Sequence, residues 1–333
     1  MRSGFVSPVL IAIIALAVVY AFMNGMNDSS SIVATMISSR AMAPRAALAI
    51  TAVAEFMGPF IFGIAVAKTI GRGIVSSDMI STQVILAAML AAVLWNLLTG
   101  FLGLPSSSSH ALIGGLIGAV VMGAGWQAIH LAGLGKILIP LFVAPVIGFL
   151  IGMIVLRIIV RLCWDASPMI NESFKRYQIL TVIALGLSHG SNDAPKTMGV
   201  ITLALLTEKY LNAFVVPTWV ILLSALAISA GTAVGGQRLI RTVGGKFYKI
   251  QPLDAFSAQL ASAMVTVTAS LLGGPVSATQ VVSSAVMGVG TAERPNKVRW
   301  KIAQDIATTW ILTIPATALA AALIFKVVTR NLQ

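Results

Sequence analysis

Apolar stretches of membrane-spanning length follow one another along most of the 333 residues. They fall at roughly 8–37, 45–67, 80–102, 108–125 and 131–160, then at roughly 178–207, 215–236, 254–272, 276–291 and 301–327. A helix needs about 20 apolar residues to cross a hydrocarbon core about 30 Å thick, so the pattern predicts about ten membrane segments. Between the two sets lies a polar stretch, 161–177, with Asp165, Asn171, Glu172, Lys175 and Arg176. The division predicts a first repeat at 1–160, a cytoplasmic loop at 161–177 and a second repeat at 178–333. Five segments per half is an odd number, so the halves run in opposite directions. The expected fold is an all-α polytopic membrane protein built from two inverted repeats.

Polar residues interrupt this pattern at two kinds of place, and each kind occurs twice. Gly25-Met26-Asn27-Asp28-Ser29 returns 165 positions later as Gly190-Ser191-Asn192-Asp193-Ala194. Gly103-Leu104-Pro105-Ser106-Ser107-Ser108-Ser109-His110 returns 170 positions later as Gly273-Gly274-Pro275-Val276-Ser277-Ala278-Thr279-Gln280. Ionisable side chains are expensive inside a membrane, and non-helical backbone is tolerated there where it lines a cavity. Duplicated interruptions of this kind predict broken helices and helical hairpins that meet near the midplane around a transport site.

Composition agrees with the segment pattern. The chain is 58% hydrophobic and 10% charged, against about 25% charged in soluble domains. A net charge of +12 in such a chain reads as basic loops facing anionic lipid and does not call for nucleic acid. Loops at 38–45, 157–176, 238–249 and 293–301 carry Lys and Arg in roughly two-to-one excess over the opposite side. They are expected in the cytoplasm, with the chain in the cell (inner) membrane and both termini external. Residues 9–22 read as the first span, since no small-residue cleavage pattern precedes Asn24. Cys163 is the only cysteine, which excludes an intramolecular disulfide and a Cys-based metal site.

The clusters suit opposite charges. Asn27, Asp28, Asn192 and Asp193, with carbonyls freed by a helix break, would make hard-oxygen sites for Na⁺ or H⁺. The alternative is a carboxylate capping a re-entrant helix. Ser107, Ser108 and Ser109, and in the copy Ser277 and Thr279, stand where a helix starts after proline. Helix N-termini and hydroxyls there suit a tetrahedral oxyanion, the alternative being ordinary N-capping. Glu55 lies mid-span, and its counterpart region Val220–Ala225 has no acid, so any role is asymmetric. It reads as a proton carrier or as a neutral hydrogen-bonded glutamate. His110 and His189 flank polar clusters and read as hydrogen-bonded structural histidines, the alternative being a proton relay. Gly114-x-x-x-Gly118 and Gly148-x-x-x-Gly152 permit close helix approach, within the chain or in a homodimer.

The runs Trp95-Asn96-Leu97 to Gly103-Leu104-Pro105-Ser106-Ser107-Ser108-Ser109-His110-Ala111-Leu112-Ile113-Gly114-Gly115 and Ser188-His189-Gly190-Ser191-Asn192-Asp193-Ala194-Pro195-Lys196-Thr197-Met198-Gly199 resemble signatures of the inorganic phosphate transporter family, sodium- or proton-coupled phosphate permeases. The resemblance runs from Asn24 to about Trp310. It implies ions at the Asn-Asp pairs, phosphate at the Ser/Thr hairpin tips, and a functional glutamate at Glu55. Na⁺ or H⁺ would be the coupling ion, with no resident cofactor. The chain departs from the family pattern at Ala278 and Gln280, at Pro195 where Gln is frequent, and at Gln259 where an acid is frequent. Coupled phosphate uptake is the leading expectation, and a sulfate/proton symporter of the same fold is the alternative. An anion channel fits less well, because midplane carboxylates would repel its ion. No Ser-His-Asp, His-x-x-Glu-His or nucleotide-phosphate motif points to an enzyme.

Overall fold

The computed structural model describes residues 7–75, 79–103, 106–167, 169–235, 250–298 and 300–331. Among them eleven α-helices account for nearly the whole chain, joined by short turns and two 3₁₀ turns. The first half holds α1 (Pro8–Ser38), α2 (Pro44–Phe62), α3 (Ala65–Gly73), α4 (Thr82–Leu102), α5 (Ser108–Ala124) and α6 (Leu131–Leu162). The second holds α7 (Ile170–Thr207), α8 (Thr218–Val234), α9 (Pro252–Leu271), α10 (Ala278–Glu293) and α11 (Trp300–Asn331). Five of the helices are long and apolar enough to cross a membrane. Their outward faces are apolar: Ile139, Val146, Leu150, Ile154 and Ile158 of α6 all stand exposed, as expected of a surface solvated by lipid.

Local chemistry sets the helix ends. Proline stands at the first position of α1, α2 and α9, where its missing N–H costs nothing. The Ser81 side chain caps α4, which ends on Gly103 in the left-handed region at φ 67°. Ser107 caps α5 by accepting from the His110 amide. Gly273, at φ 73°, closes α9 in the same way that Gly103 closes α4.

Two expectations change. The helices α1 and α7 run unbroken through both Asn-Asp pairs. The glycines there serve close approach instead. A Cβ on Gly25 would strike the Ile228 carbonyl of α8, and one on Gly190 would strike the Glu55 carbonyl of α2. The polar segment 161–177 is mostly helix, since α6 reaches Leu162 and α7 begins at Ile170. At 38 residues α7 is about 57 Å long, longer than the roughly 30 Å of a hydrocarbon core, and its first turns are polar. The expected meeting of the two hairpin tips is observed. Ser109 Oγ of one reaches the Val276 carbonyl of the other at 3.1 Å, and both residues are buried. Each pair packs as a helical hairpin, as the duplicated Gly-Pro interruptions predict.

The packing between halves is reciprocal. Helix α2 packs on α7 as α8 packs on α1, α6 on α10 as α11 on α5, and α4 on α1 as α9 on α7. Both Gly-x-x-x-Gly stripes are spent inside the protomer, Gly114 and Gly118 against α11 and Gly148 and Gly152 against α10.

Candidate functional site

The site forms where the middles of α1 and α7 meet the two hairpin tips. The continuous helix puts Asn24 and Asp28 one turn apart on one face of α1, and likewise His189 and Asp193 on α7. The two pairs then cross-link. Asn24 Nδ2 donates to Asp193 Oδ2 at 2.8 Å, and His189 Nε2 lies 3.4 Å from Asp28 Oδ2 and 3.2 Å from Asp193 Oδ2. On its other side, His189 Nδ1 lies 2.7 Å from Glu55 Oε1. The second Glu55 oxygen accepts from Thr232 Oγ1 at 2.5 Å. One imidazole thus bridges three carboxyl groups. Each ring nitrogen faces a carboxylate oxygen, so either both nitrogens donate or a facing carboxyl carries the proton.

The hairpins bring hydroxyls to the same place. Thr279 Oγ1 donates to Asp28 Oδ1 at 2.6 Å, and Ser108 Oγ donates to Asn24 Oδ1 at 2.5 Å. Tyr20 Oη holds the Ser108 carbonyl at 3.0 Å. Lys196 Nζ donates to Asp193 Oδ1 and Ser109 Oγ at 2.5 Å each and to the Val276 carbonyl at 2.6 Å. None of these side chains is more than 5% exposed.

Of the residues expected from the sequence, Asp28, Asp193, Glu55, Ser108, Ser109 and Thr279 form this one network. The remaining four sit beside it. Ser107 caps α5 and bonds His110 Nδ1 at 2.7 Å, and Ser277 stands at the equivalent start of α10. Asn192 is committed to the second hairpin, donating to Ser270 Oγ and the Gly274 carbonyl and accepting from the Val276 amide. Asn27 is half-buried against Gly100. Leu104 and Pro105, part of the first hairpin motif, lie outside the described residues.

Of the departures, Gln280 meets His110, its equivalent 170 positions earlier, at 3.3 Å. Gln259 links Thr181 and Thr35 at 2.6 and 2.9 Å, away from the carboxyl cluster. Pro195 sits within α7, which continues through it.

Sequence reasoning missed Asn24 and Lys196 as site members and preferred a structural role for His189 over a proton relay. A signal was available: Asn24 and His189 are 165 apart, each one turn before an Asn-Asp pair. Glu55 also has a sharper counterpart than Val220–Ala225. Gly58 abuts Leu187 and Ser191 of α7 and Gly231 abuts Phe22 and Met26 of α1, residues 165 apart; this relates Gly58 to Gly231 and so pairs Glu55 with Ile228. The counterpart is apolar, so the asymmetry stands.

A cleft of about 930 Å³ between α6 and α9 is lined by groups such as Pro140, Val143, Ile147 and Met264, with Lys136 its single charged residue. That mostly apolar lining suits lipid tails. The carboxyl, hydroxyl and ammonium cluster is the chemical centre of the molecule. Asp28, His189 and Asp193 place one potential ligand atom each within 4.8 Å of one another, close enough to share a cation.

The model of the phosphate transporter family matches residues 24–321. The chain belongs to the phosphate transporter family. It is similar to a probable low-affinity inorganic phosphate transporter of Bacillus subtilis, at 41% identity over 95% of this chain and 96% of the relative. A protein of the same description from Rhizobium meliloti is 38% identical, over 96% of both chains. Among solved structures, a sodium-dependent phosphate transporter superposes with a TM-score of 0.90 at 25% identity, covering 97% of this chain and all of the other. This member of the family is therefore a multi-pass membrane transporter and not an enzyme.

Proposed function

We propose that the chain is a secondary symporter that takes up inorganic phosphate together with Na⁺ across the cell membrane. One observation carries this reading: the hydroxyls at both hairpin tips are tied into the carboxylate network. Thr279 is held by Asp28, and Ser109 is joined to Asp193 through Lys196. Whatever binds the carboxylates therefore resets the hydroxyls that would hold the anion. Phosphate would sit between the N-termini of α5 and α10, where backbone N–H groups and the positive helix ends favour an anion. The cation would bind at Asp28 and offset the charge that the carboxylates set against phosphate. Sodium as the coupling ion is supported by the sodium-dependent transporter of the same fold. The inverted-repeat organisation, with halves at 1–160 and 178–333, is supported by the reciprocal helix packing and by equivalent contacts that fall on α1 and α7 positions 165 apart.

A proton-coupled form is favoured by a separate observation, the imidazole of His189 wedged between Glu55 and the two aspartates. In that form His189 and Glu55 would carry the proton. Uptake of labelled phosphate into proteoliposomes, with Na⁺ and pH gradients imposed separately, tests both. The sodium reading expects accumulation driven by the Na⁺ gradient alone. Accumulation driven only by the pH gradient would replace it with the proton reading, and accumulation under neither would refute symport.

A further inference from the structure

Among the described residues Lys196 is the only Lys or Arg that is fully buried. Its ammonium has three N–H groups and three oxygen acceptors: the Asp193 carboxylate, the Ser109 hydroxyl and the Val276 carbonyl, at 2.5, 2.5 and 2.6 Å. A carboxylate, a hydroxyl and a carbonyl are also the oxygen donors that a hard metal cation takes from a protein. The cage looks like an ion site whose occupant is attached to the chain.

The other half holds the equivalent cage without that occupant. The offset of 165 carries Asp193 to Asp28 and Lys196 to Ser31, each one turn from its aspartate. The offset of 170 relates Ser109 to Thr279 and Val276 to Ser106. One edge of the counterpart is already made, the 2.6 Å bond from Thr279 to Asp28. Where α7 supplies an ammonium, α1 supplies only the Ser31 hydroxyl. That hydroxyl is 2% exposed and has no hydrogen-bond partner, an orphan that a buried oxygen rarely remains.

We propose that the Lys196 ammonium is a tethered cation that permanently fills the second-half ion site, so that one exchangeable cation accompanies each phosphate. That cation binds in the first-half counterpart formed by Asp28, Thr279, Ser31 and the Ser106 carbonyl. Its arrival would occupy the oxygens of Asp28 and Thr279 and release the Thr279 proton to donate to phosphate, coupling the two ligands at one hydroxyl. This assignment rests on the sodium symport reading above.

The test counts Na⁺. Purified full-length chain is dialysed to equilibrium against radiolabelled Na⁺ with saturating phosphate, and size-exclusion chromatography confirms that each variant is folded. One Na⁺ per chain is expected for the unmodified protein and for Lys196→Arg. Two are expected for Lys196→Asn, whose amide frees the cage, and none for Ser31→Lys, which installs a second tethered cation. Wherever Lys196→Asn transports, the Hill coefficient for Na⁺ should rise from about one toward two. Two Na⁺ in the unmodified chain, or one in folded Lys196→Asn, would overturn the role given to Lys196 and leave symport standing. If Lys196→Asn does not fold, one Na⁺ bound to folded Ser31→Lys overturns it equally. An unmodified chain that binds no Na⁺ refutes the sodium reading, and the Lys196 assignment falls with it.

Discussion

Gly190→Ala is a one-methyl change that should disable the site without touching any of its functional groups. The α-carbon of Gly190 faces the backbone of α2 so closely that an added Cβ would overlap the Glu55 carbonyl oxygen and approach its carbonyl carbon and Cα at 2.7 Å. A backbone cannot turn aside as a side chain can, so α2 and α7 must separate by roughly 1 Å. Overpacking of this kind costs about 1–3 kcal/mol. The same displacement acts on the bond between His189, the neighbour of Gly190, and Glu55. At 2.7 Å, that contact would open beyond hydrogen-bond reach. Losing a charge-assisted bond at a buried site costs a further ~1.5–3 kcal/mol. The expected result is a thermal midpoint several degrees lower and phosphate uptake reduced at least tenfold. Gly135→Ala is the matched control, because a Cβ there meets nothing within 4 Å. The assay pairs thermal unfolding in detergent with labelled phosphate uptake in proteoliposomes. If Gly190→Ala unfolds and transports like Gly135→Ala, the contact between α2 and α7 is not what positions Glu55, and the account of the glycine is wrong.

Two further outcomes follow from the same geometry. Asp28→Asn and Asp193→Asn should both abolish coupled uptake, but only Asp193→Asn should also destabilise the fold, by about 3–5 kcal/mol, because it strands the buried Lys196 ammonium; equal stability of the two in thermal unfolding would contradict the pairing. For topology, cysteines at Gln127 and Lys209, both exposed, should label from outside a cell whose chain lacks Cys163, and one at the exposed Arg40 only after the cytoplasm is opened; finding Lys209 and Arg40 on one side would exclude the inverted arrangement.

The segment pattern was legible because hydropathy depends on length and composition, and every apolar stretch from 8–37 to 301–327 has a helix in the structure. The hairpin ends were legible too, since Gly103 and Gly273 take the positive φ that a glycine after a helix announces. Gly25 and Gly190 misled for the same reason. Glycine marks both a break and a close approach, and only the partner helix distinguishes them. The Asn-Asp motif exposed the carboxylates, whereas the groups that neutralise them come from tertiary packing. His189 reaches Glu55 across 134 residues of chain, and Lys196 reaches Ser109 across 87. No local spacing encodes either contact. The connecting segment was misread because polar residues predict exposure, and the exposed ends of α6 and α7 are helical.

On the inverted-repeat reading, three departures from symmetry in α1, α2, α7 and α8 fall on one side of the site. His189 stands against Asn24, Lys196 against Ser31 and Glu55 against Ile228, and in each pair the ionisable member lies around Asp193. Asp28 keeps mostly neutral partners, Thr279 by hydroxyl and the shared imidazole at the longer distance of 3.4 Å. A buried carboxylate is tolerated when a charge or several hydrogen bonds answer it. Asp193 has that answer built into the chain, in an ammonium at 2.5 Å and an amide at 2.8 Å. Asp28 is answered less completely, and a mobile cation can supply the difference. On the reading proposed above, duplication made two equal sites, and divergence at these three positions turns one of them structural and leaves the other to the transported ion.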